Sequence, residues 1–258
     1  MAMVTAVGNE KGGVGKTTVT LCLASELALM GRKVLLIDLD QQRSAASTVG
    51  ATGGVTIEDV LSKKDPVSIA DAIQKSDWAG VDVIAGSDSI NSLDRDVDGM
   101  VAFRLQQAFQ REKDIVGRYD DVLIDLPPAV ATATVTGLLA ADRVVAVTEP
   151  EPYSSEGLSN FIDLLTRIAS GPRPHLRLHG VLVNKIRRAK EHVYRVEELH
   201  RAFGEGVVLA PMIPLRVVMS AVGSEQQPLH ELKAVGAKEM SALFRQHALL
   251  LVEREGKG

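Results

Sequence analysis

A chain of 258 residues, 45% hydrophobic and 24% charged, holds enough apolar material for one large core and has the balance of an ordinary globular domain. No run approaches the roughly 20 apolar residues that cross a bilayer, and a formal net charge of −4 excludes a uniformly basic nucleic-acid binder while leaving room for a local patch. Cys22 is the only cysteine, which excludes disulfides within the chain and fits a reducing cytoplasm.

The chain enters a strand at once, with Val4 to Val7 as its apolar run, which reads against a signal peptide. A glycine-rich loop follows, then a helix from about Thr17 to Met30 that Gly31 is placed to end. Lys33 to Asp38 reads as a buried strand closing on a carboxylate. From Gly50 to Asp77, Thr52-Gly53-Gly54 and Lys63-Lys64-Asp65-Pro66 suggest loops around short helices. Further strands are expected at Val81 to Ala85, Asp121 to Leu126, Arg143 to Thr148, Leu178 to Asn184 and Val207 to Leu209. Helices are expected over Phe103 to Lys113, Glu156 to Ala169, Lys190 to Phe203 and Val235 to Val252. Near-continuous Val/Ile/Leu runs alternating with helices specify a mostly parallel central sheet flanked by helices on both faces. The expectation is a single α/β domain over residues 1–258. Asp120 and Asp121, following Tyr119 just before a strand, read as a solvated turn.

Lys11-Gly12-Gly13-Val14-Gly15-Lys16-Thr17-Thr18 lies between the first strand and the first helix. In that setting successive backbone N–H groups and the helix N-terminus point at a bound anion. Gly12, Gly13 and Gly15 let the backbone wrap phosphates, Lys16 would reach the β- and γ-phosphates, and the Thr17 hydroxyl would ligate Mg²⁺. Thr18 adds a hydroxyl near the α-phosphate. A tight strand–helix connection would also use glycine, but three glycines, Lys16 and two threonines in register favour a phosphate loop (P-loop). The common pattern asks for glycine where Glu10 stands, and Lys11 opens the loop instead.

Asp38 and Asp125 each close a buried strand, so both should lie beside this loop, beyond the carboxyl ends of the sheet. Asp40 can point the same way if the backbone stays extended. Any one of these aspartates alone would pass for a cap or turn residue. Beside a phosphate loop they suit phosphoryl transfer, which needs Mg²⁺ held, charge neutralised and a water oriented in line. Val181-Leu182-Val183-Asn184-Lys185 is a buried strand ending in an amide with both donor and acceptor, able to pair with an adenine edge. Arg187 stands where Asn-Lys-x-Asp proteins carry the aspartate that reads guanine, which favours ATP over GTP.

Lys11 to Thr18 resembles the deviant Walker A motif of the ParA/MinD family of P-loop ATPases. Asp38-Leu39-Asp40-Gln41-Gln42 is similar to that family's Asp-x-Asp-Pro-Gln segment, and Asp125-Leu126-Pro127-Pro128 resembles its Walker B and second switch. The similarity continues through Glu149-Pro150-Glu151 to the final helix, nearly the whole chain. It implies a homodimer closed over two ATP molecules, with Lys11 reaching the partner copy's nucleotide. It further implies that Asp38 and Asp125 support Mg²⁺, Asp125 through water, and that Asp40 positions or activates the attacking water. Adenine contact at Asn184, and packing on the base by Pro214 in Pro211-Met212-Ile213-Pro214, are implied in the same way. Gln41 departs from the family's proline, which bears on the stiffness of this switch and on hydrolysis rate rather than on binding.

Members of the family differ in what the ATP-bound dimer touches. An iron-cluster relative needs about two cysteines per subunit, and Cys22 stands alone in a helix as a small apolar residue. A membrane-binding relative needs a basic amphipathic tail. Here Met240, Leu243, Phe244, Leu250 and Leu251 read as a stripe packed on the domain, followed by the mixed charges Glu253-Arg254-Glu255. Between Arg173 and Arg201 lie eight Lys or Arg against three Glu, a local balance of +5 that leaves −9 elsewhere. Arg187, Arg188, Lys190, Arg195 and Arg201 would suffice for sequence-independent DNA binding through phosphate neutralisation. A solvated helix face carrying Glu191, Glu197 and Glu198 accounts for the same charges.

With the resemblance, the expectation is a cytoplasmic, nucleoid-associated ATPase of plasmid or chromosome partition, binding non-specific DNA in its ATP state and stimulated by a ParB-type centromere-binding protein. The alternative is a MinD-like ATPase positioning a membrane-associated or other protein assembly. A metabolic ATP-dependent enzyme is a third class, for which the sequence offers no recognisable substrate pocket. A strand at the very start leaves no appended helix-turn-helix, so sequence-specific operator binding is not expected. Trp78 and the six histidines carry no spacing that suggests a metal or stacking site.

Overall fold

Strands with branched apolar residues at successive positions cannot leave either face in water, so they require helices above and below. The computed structural model has this arrangement. It describes all residues except Met1, Thr52, 96–99, 152–153, Glu205 and 254–258, so Thr52 of the expected loop and Arg254 and Glu255 of the expected tail lie outside the described residues.

In chain order the elements are β1 (Met3–Gly8), α1 (Lys16–Leu29), β2 (Val34–Asp38), α2 (Ser44–Thr48), α3 (Ile57–Val60), α4 (Ile69–Ala72), β3 (Gln74–Lys75), β4 (Val81–Ile84), α5 (Arg104–Arg111), α6 (Lys113–Val116), β5 (Asp121–Asp125) and α7 (Thr132–Ala140). Then come β6 (Arg143–Thr148), α8 (Ser154–Ala169), β7 (Arg177–Val183), α9 (Lys190–Phe203), β8 (Val208–Leu209), α10 (Val218–Ser224) and α11 (Ala237–Glu253). The sheet runs β3-β4-β2-β5-β1-β6-β7-β8. Its pairs are parallel except β3 with β4. The chain builds outward on one side of β1, returns through β5, then builds on the other side, so its order reverses beside β1. That is where a crevice opens at the carboxyl end of a parallel sheet.

Alternation along the strands divides the core into two layers. On β2, Leu35 and Ile37 join Val122, Ile124, Leu138 and Phe161 on one face. Val34 and Leu36 join Leu123, Leu21, Leu27, Met240 and Phe244 on the other. The expected strands and long helices are present, with ends shifted by a residue or two. Phe103 belongs to a short 3-10 turn (Val101–Phe103) before α5, and Lys113 begins a separate turn of helix. Gly31 ends α1 as expected, at φ 80° with its N–H donated to Ala28 O at 2.9 Å.

Asp121 is not part of a solvated turn: it is fully buried, accepts a hydrogen bond from Arg32 Nε, and lies 3.9 Å from the buried Arg143 guanidinium. Arg143 also donates to Thr5 Oγ1 at 2.8 Å and to Leu251 O at 2.6 Å, so this ion cluster ties β1 and β6 to the end of α11. Burial of two charges is tolerated here because each has partners. Asp120 does face solvent, accepting from Lys33 N–H at 2.8 Å.

Candidate nucleotide site

The phosphate loop gets its shape from two left-handed glycines, Gly13 at φ 78° and Gly15 at φ 92°, a region that side chains with a Cβ avoid. Gly15 is also closed to substitution from outside, since a Cβ there would sit 2.4 Å from Asn184 Nδ2. The loop's entry is pinned by Asn9, which accepts from Lys11 N–H at 3.1 Å and donates to Val147 O at 2.7 Å. α1 then begins at Lys16 directly after the loop with no side-chain cap, so the N–H groups of its first turn have no partner within the helix.

Lys16 is buried, and its ammonium donates to Lys11 O at 3.0 Å, closing the loop on itself. Burial pulls its pKa below the usual lysine value, and the nearby charges of Asp125 and Asp40 oppose that shift. Thr17 and Thr18 are half-buried at the start of α1. Asp125 accepts hydrogen bonds from the Thr17 hydroxyl and, at 3.0 Å, from Thr20 Oγ1.

Asp38 and Asp125 are opposite each other in the β2–β5 register, and both are fully buried. Asp38 Oδ1 accepts from Asp40 N–H at 3.0 Å, and Oδ2 from Ala46 N–H at 2.9 Å. One Asp125 oxygen, Oδ2, has no hydrogen-bond partner among the described residues. Burial first, then mutual repulsion for Asp125 and the Asp40 charge for Asp38, push both carboxyls above the ordinary carboxylate range. A buried carboxylate pair with an unsatisfied oxygen and a neighbouring hydroxyl is a donor set that suits a hard divalent cation. Asp40 is half-exposed on the turn that follows β2, accepting from Gln42 N–H at 3.0 Å, with Gln41 and Gln42 exposed beside it.

Lys11 is not a free loop lysine. Its ammonium lies 3.0 Å from Glu149 Oε1, while Lys185 takes Glu149 Oε2 at 3.2 Å. Burial alone would raise Glu149, but hydrogen bonds from the two lysines hold its carboxyl below the usual glutamate value. Asn184 is buried with both ends of its amide used: Nδ2 donates to Val14 O at 2.8 Å and Oδ1 accepts from Lys185 N–H at 2.9 Å. It therefore clasps the loop from the end of β7. Pro214 lies alongside, in a segment where Ile213 N–H donates to Val183 O at 2.9 Å and Ile186 N–H donates to Ile213 O at 3.0 Å.

The basic residues divide. Arg187, Arg188, Lys190 and Arg201 are exposed. Arg195 is held by Glu198 at 2.8 Å and Glu191 at 3.8 Å, which neutralises much of its charge locally. Arg216 lies outside the basic run that ends at Arg201. Leu215 N–H donates to Ile186 O at 3.0 Å, and the neighbouring Arg216 pairs with Glu239 at 3.5 Å. Lys185 and Glu149 were not assigned a part either, although the Asn184-Lys185 dipeptide at a strand end was the visible signal.

A family model described as an AAA domain matches residues 2–178. The chain is 33% identical over 252 residues to the chromosome partitioning protein ParA of Caulobacter vibrioides, covering 94% of this chain and 92% of that one. It is 30% identical to the sporulation initiation inhibitor protein Soj of Bacillus subtilis, over 89% and 90% of the two chains. A crystal structure of cobyrinic acid a,c-diamide synthase from Mycobacterium smegmatis, with a bound ATP analogue and magnesium, superposes with a TM-score of 0.80 at 25% identity, covering 99% of this chain and 96% of that one. Together with a phosphate loop that carries Lys11 as well as Lys16, and two strand-end aspartates paired beside it, these matches place the chain in the ParA/MinD-type family of P-loop ATPases.

Proposed function

We propose that this chain is a DNA-partition ATPase whose two copies close over two molecules of Mg·ATP, hold DNA without sequence preference in that state, and release it on hydrolysis stimulated by a ParB-type partner. Lys16 and the loop N–H groups bind the β- and γ-phosphates. Thr17, with Asp38 and Asp125 acting through water, holds Mg²⁺, which neutralises charge developing on the phosphates. Asp40 orients the attacking water from its exposed turn. Lys11 leaves Glu149 and reaches the nucleotide of the partner copy, Asn184 and Pro214 border the adenine, and the ATP form is nucleoid-associated.

The observation that carries the DNA reading is the junction between the two sites. Arg187 and Arg188 are exposed on the loop that starts directly after Asn184 and Lys185, the two residues bonded to the phosphate loop. A change in the loop on binding ATP would thus be felt at the basic segment. The alternative, a membrane-positioning ATPase, finds less support: Met240, Phe244 and Leu251 of α11 are buried against the α1 layer.

The test is binding to random-sequence duplex with ATP, ADP or no nucleotide, over a salt series. Binding that needs ATP and falls steeply with salt is expected. A chain that binds ATP but no duplex under any condition would shift the reading to liposome or protein-assembly positioning.

A further inference from the structure

An anion-binding loop works only if its N–H groups face inward, and each peptide whose N–H turns in must have its carbonyl turned out. Two consecutive carbonyls of this loop are turned out by named donors. Asn184 Nδ2 donates to Val14 O at 2.8 Å, and Lys185 Nζ donates to Gly13 O. The second donor is charged and held at both ends. Its ammonium also lies 3.2 Å from Glu149 Oε2, and its own N–H donates to Asn184 Oδ1 at 2.9 Å.

The backbone is arranged to allow this. Lys185 has φ 57°, a left-handed conformation that side-chain-bearing residues seldom adopt and that is kept where surrounding structure overrides it. The following residue is fixed by two bonds to the neighbouring segment, Ile186 N–H to Ile213 O and Leu215 N–H to Ile186 O, both 3.0 Å. The strained residue therefore sits between two clamped neighbours and aims its side chain back across the loop. Lys185 is about one-third exposed and Glu149 is 13% exposed, so the ion pair is partly screened and the geometry is fixed mainly by the hydrogen bond to the carbonyl.

We propose that Lys185 is a positioning residue of the nucleotide site, anchored on Glu149, which pulls the Gly13 carbonyl outward so that the loop N–H groups face the phosphates. It acts through the loop carbonyl that it holds. The inference rests on the phosphate-loop assignment of Lys11 to Thr18.

The experiment is calorimetric titration of ATP and ADP into Lys185→Asn, Lys185→Arg and Glu149→Gln, with Lys16→Ala as the control for the loop itself. Asparagine tolerates the left-handed backbone but lacks the ammonium, so it separates loss of the charge from backbone strain. Lys185→Asn is expected to weaken ATP and ADP alike by about tenfold, the loss of one charged hydrogen bond. The arginine variant is expected to stay within about threefold of wild type, because its guanidinium can still donate to the carbonyl. Glu149→Gln should fall between them, and the unligated Tm of all three should move by less than about 2 °C. Near-wild-type affinity in Lys185→Asn overturns the proposal. So does an arginine variant as weak as the asparagine one, or a large Tm loss with unchanged affinity. Normal ATP binding by Lys16→Ala would overturn the phosphate-loop assignment instead, and is read independently.

Discussion

Asp125 and Asp38 are set against each other at zero exposure, with one Asp125 oxygen lacking a donor among the described residues. An acid whose folded pKa is raised costs the fold stability as pH climbs through that raised value, while below the ordinary carboxylate range the cost is absent. Asp125→Asn should therefore raise the unligated Tm at pH 8 by about 2–4 °C, roughly 1 kcal/mol, because the amide can still accept from Thr20 without carrying charge. The gain should shrink as pH falls toward the ordinary carboxylate range, and hydrolysis should be lost. Scanning calorimetry at several pH values checks this; an unchanged or lower Tm at pH 8 would mean the pair is not a strained site. Asp40 presents the opposite case, since its carboxylate is half-exposed and bonded within its own turn. Asp40→Ala should leave ATP affinity intact while phosphate release stops. Wild-type release would remove Asp40 from the mechanism.

At the scale of elements, α7 shows packing overruling propensity. Its sequence Thr-Ala-Thr-Val-Thr-Gly-Leu-Leu-Ala is β-branched, contains a glycine and lacks a polar stripe, so it carries no helical signature. It is a helix because it is buried on the sheet beside Leu126 and Leu39, where Gly137 makes the close approach: a Cβ there would lie 2.4 Å from Leu126 Cδ2 and 2.9 Å from Leu39 Cδ1. Gly137→Ala would gain about 1 kcal/mol in an exposed helix. Here overpacking should outweigh that gain, at about 1–3 kcal/mol. Urea unfolding should give a lower midpoint, and a higher one would show that the layer can yield. α11 is the converse, with Met240, Phe244 and Leu251 spaced for one face and found buried on it.

Across the whole molecule, a net charge of −4 coexists with a local excess of basic residues between Arg173 and Arg201, eight Lys or Arg against three Glu. Arg187 and Arg188 follow β7, Arg201 ends α9, and Arg216 follows the segment that pairs with Ile186. If these residues touch DNA, replacing Arg187, Arg188 and Arg201 together by alanine should leave ATP affinity unchanged. Duplex binding should weaken, with the salt slope reduced by about 0.9 for each phosphate no longer neutralised. Arg195→Ala should have a small effect, since Glu191 and Glu198 already hold its guanidinium. An unchanged slope in the triple variant would place the DNA-binding face elsewhere.

The phosphate loop, the strand-end aspartates and the doubly covered sheet were legible in the sequence. Each is written in a local pattern: glycines in register with a lysine and two threonines, a carboxylate after an apolar run, and a period that switches from strand to helix. Tertiary structure alone decided what depends on partners far along the chain. Asn184 and Val14 are 170 residues apart, yet one hydrogen bond between them shapes the loop. Asp121 looked like a turn residue because its partners, Arg32 and Arg143, belong to other segments, and burial with two cations reverses the ordinary fate of an aspartate. The sequence by itself determined which residues stand in the pattern of a phosphate loop and at the strand ends beside it. The fold decided which of them are held by partners from elsewhere, since hydrogen bonds and ion pairs between distant segments commit side chains that local composition leaves uncommitted.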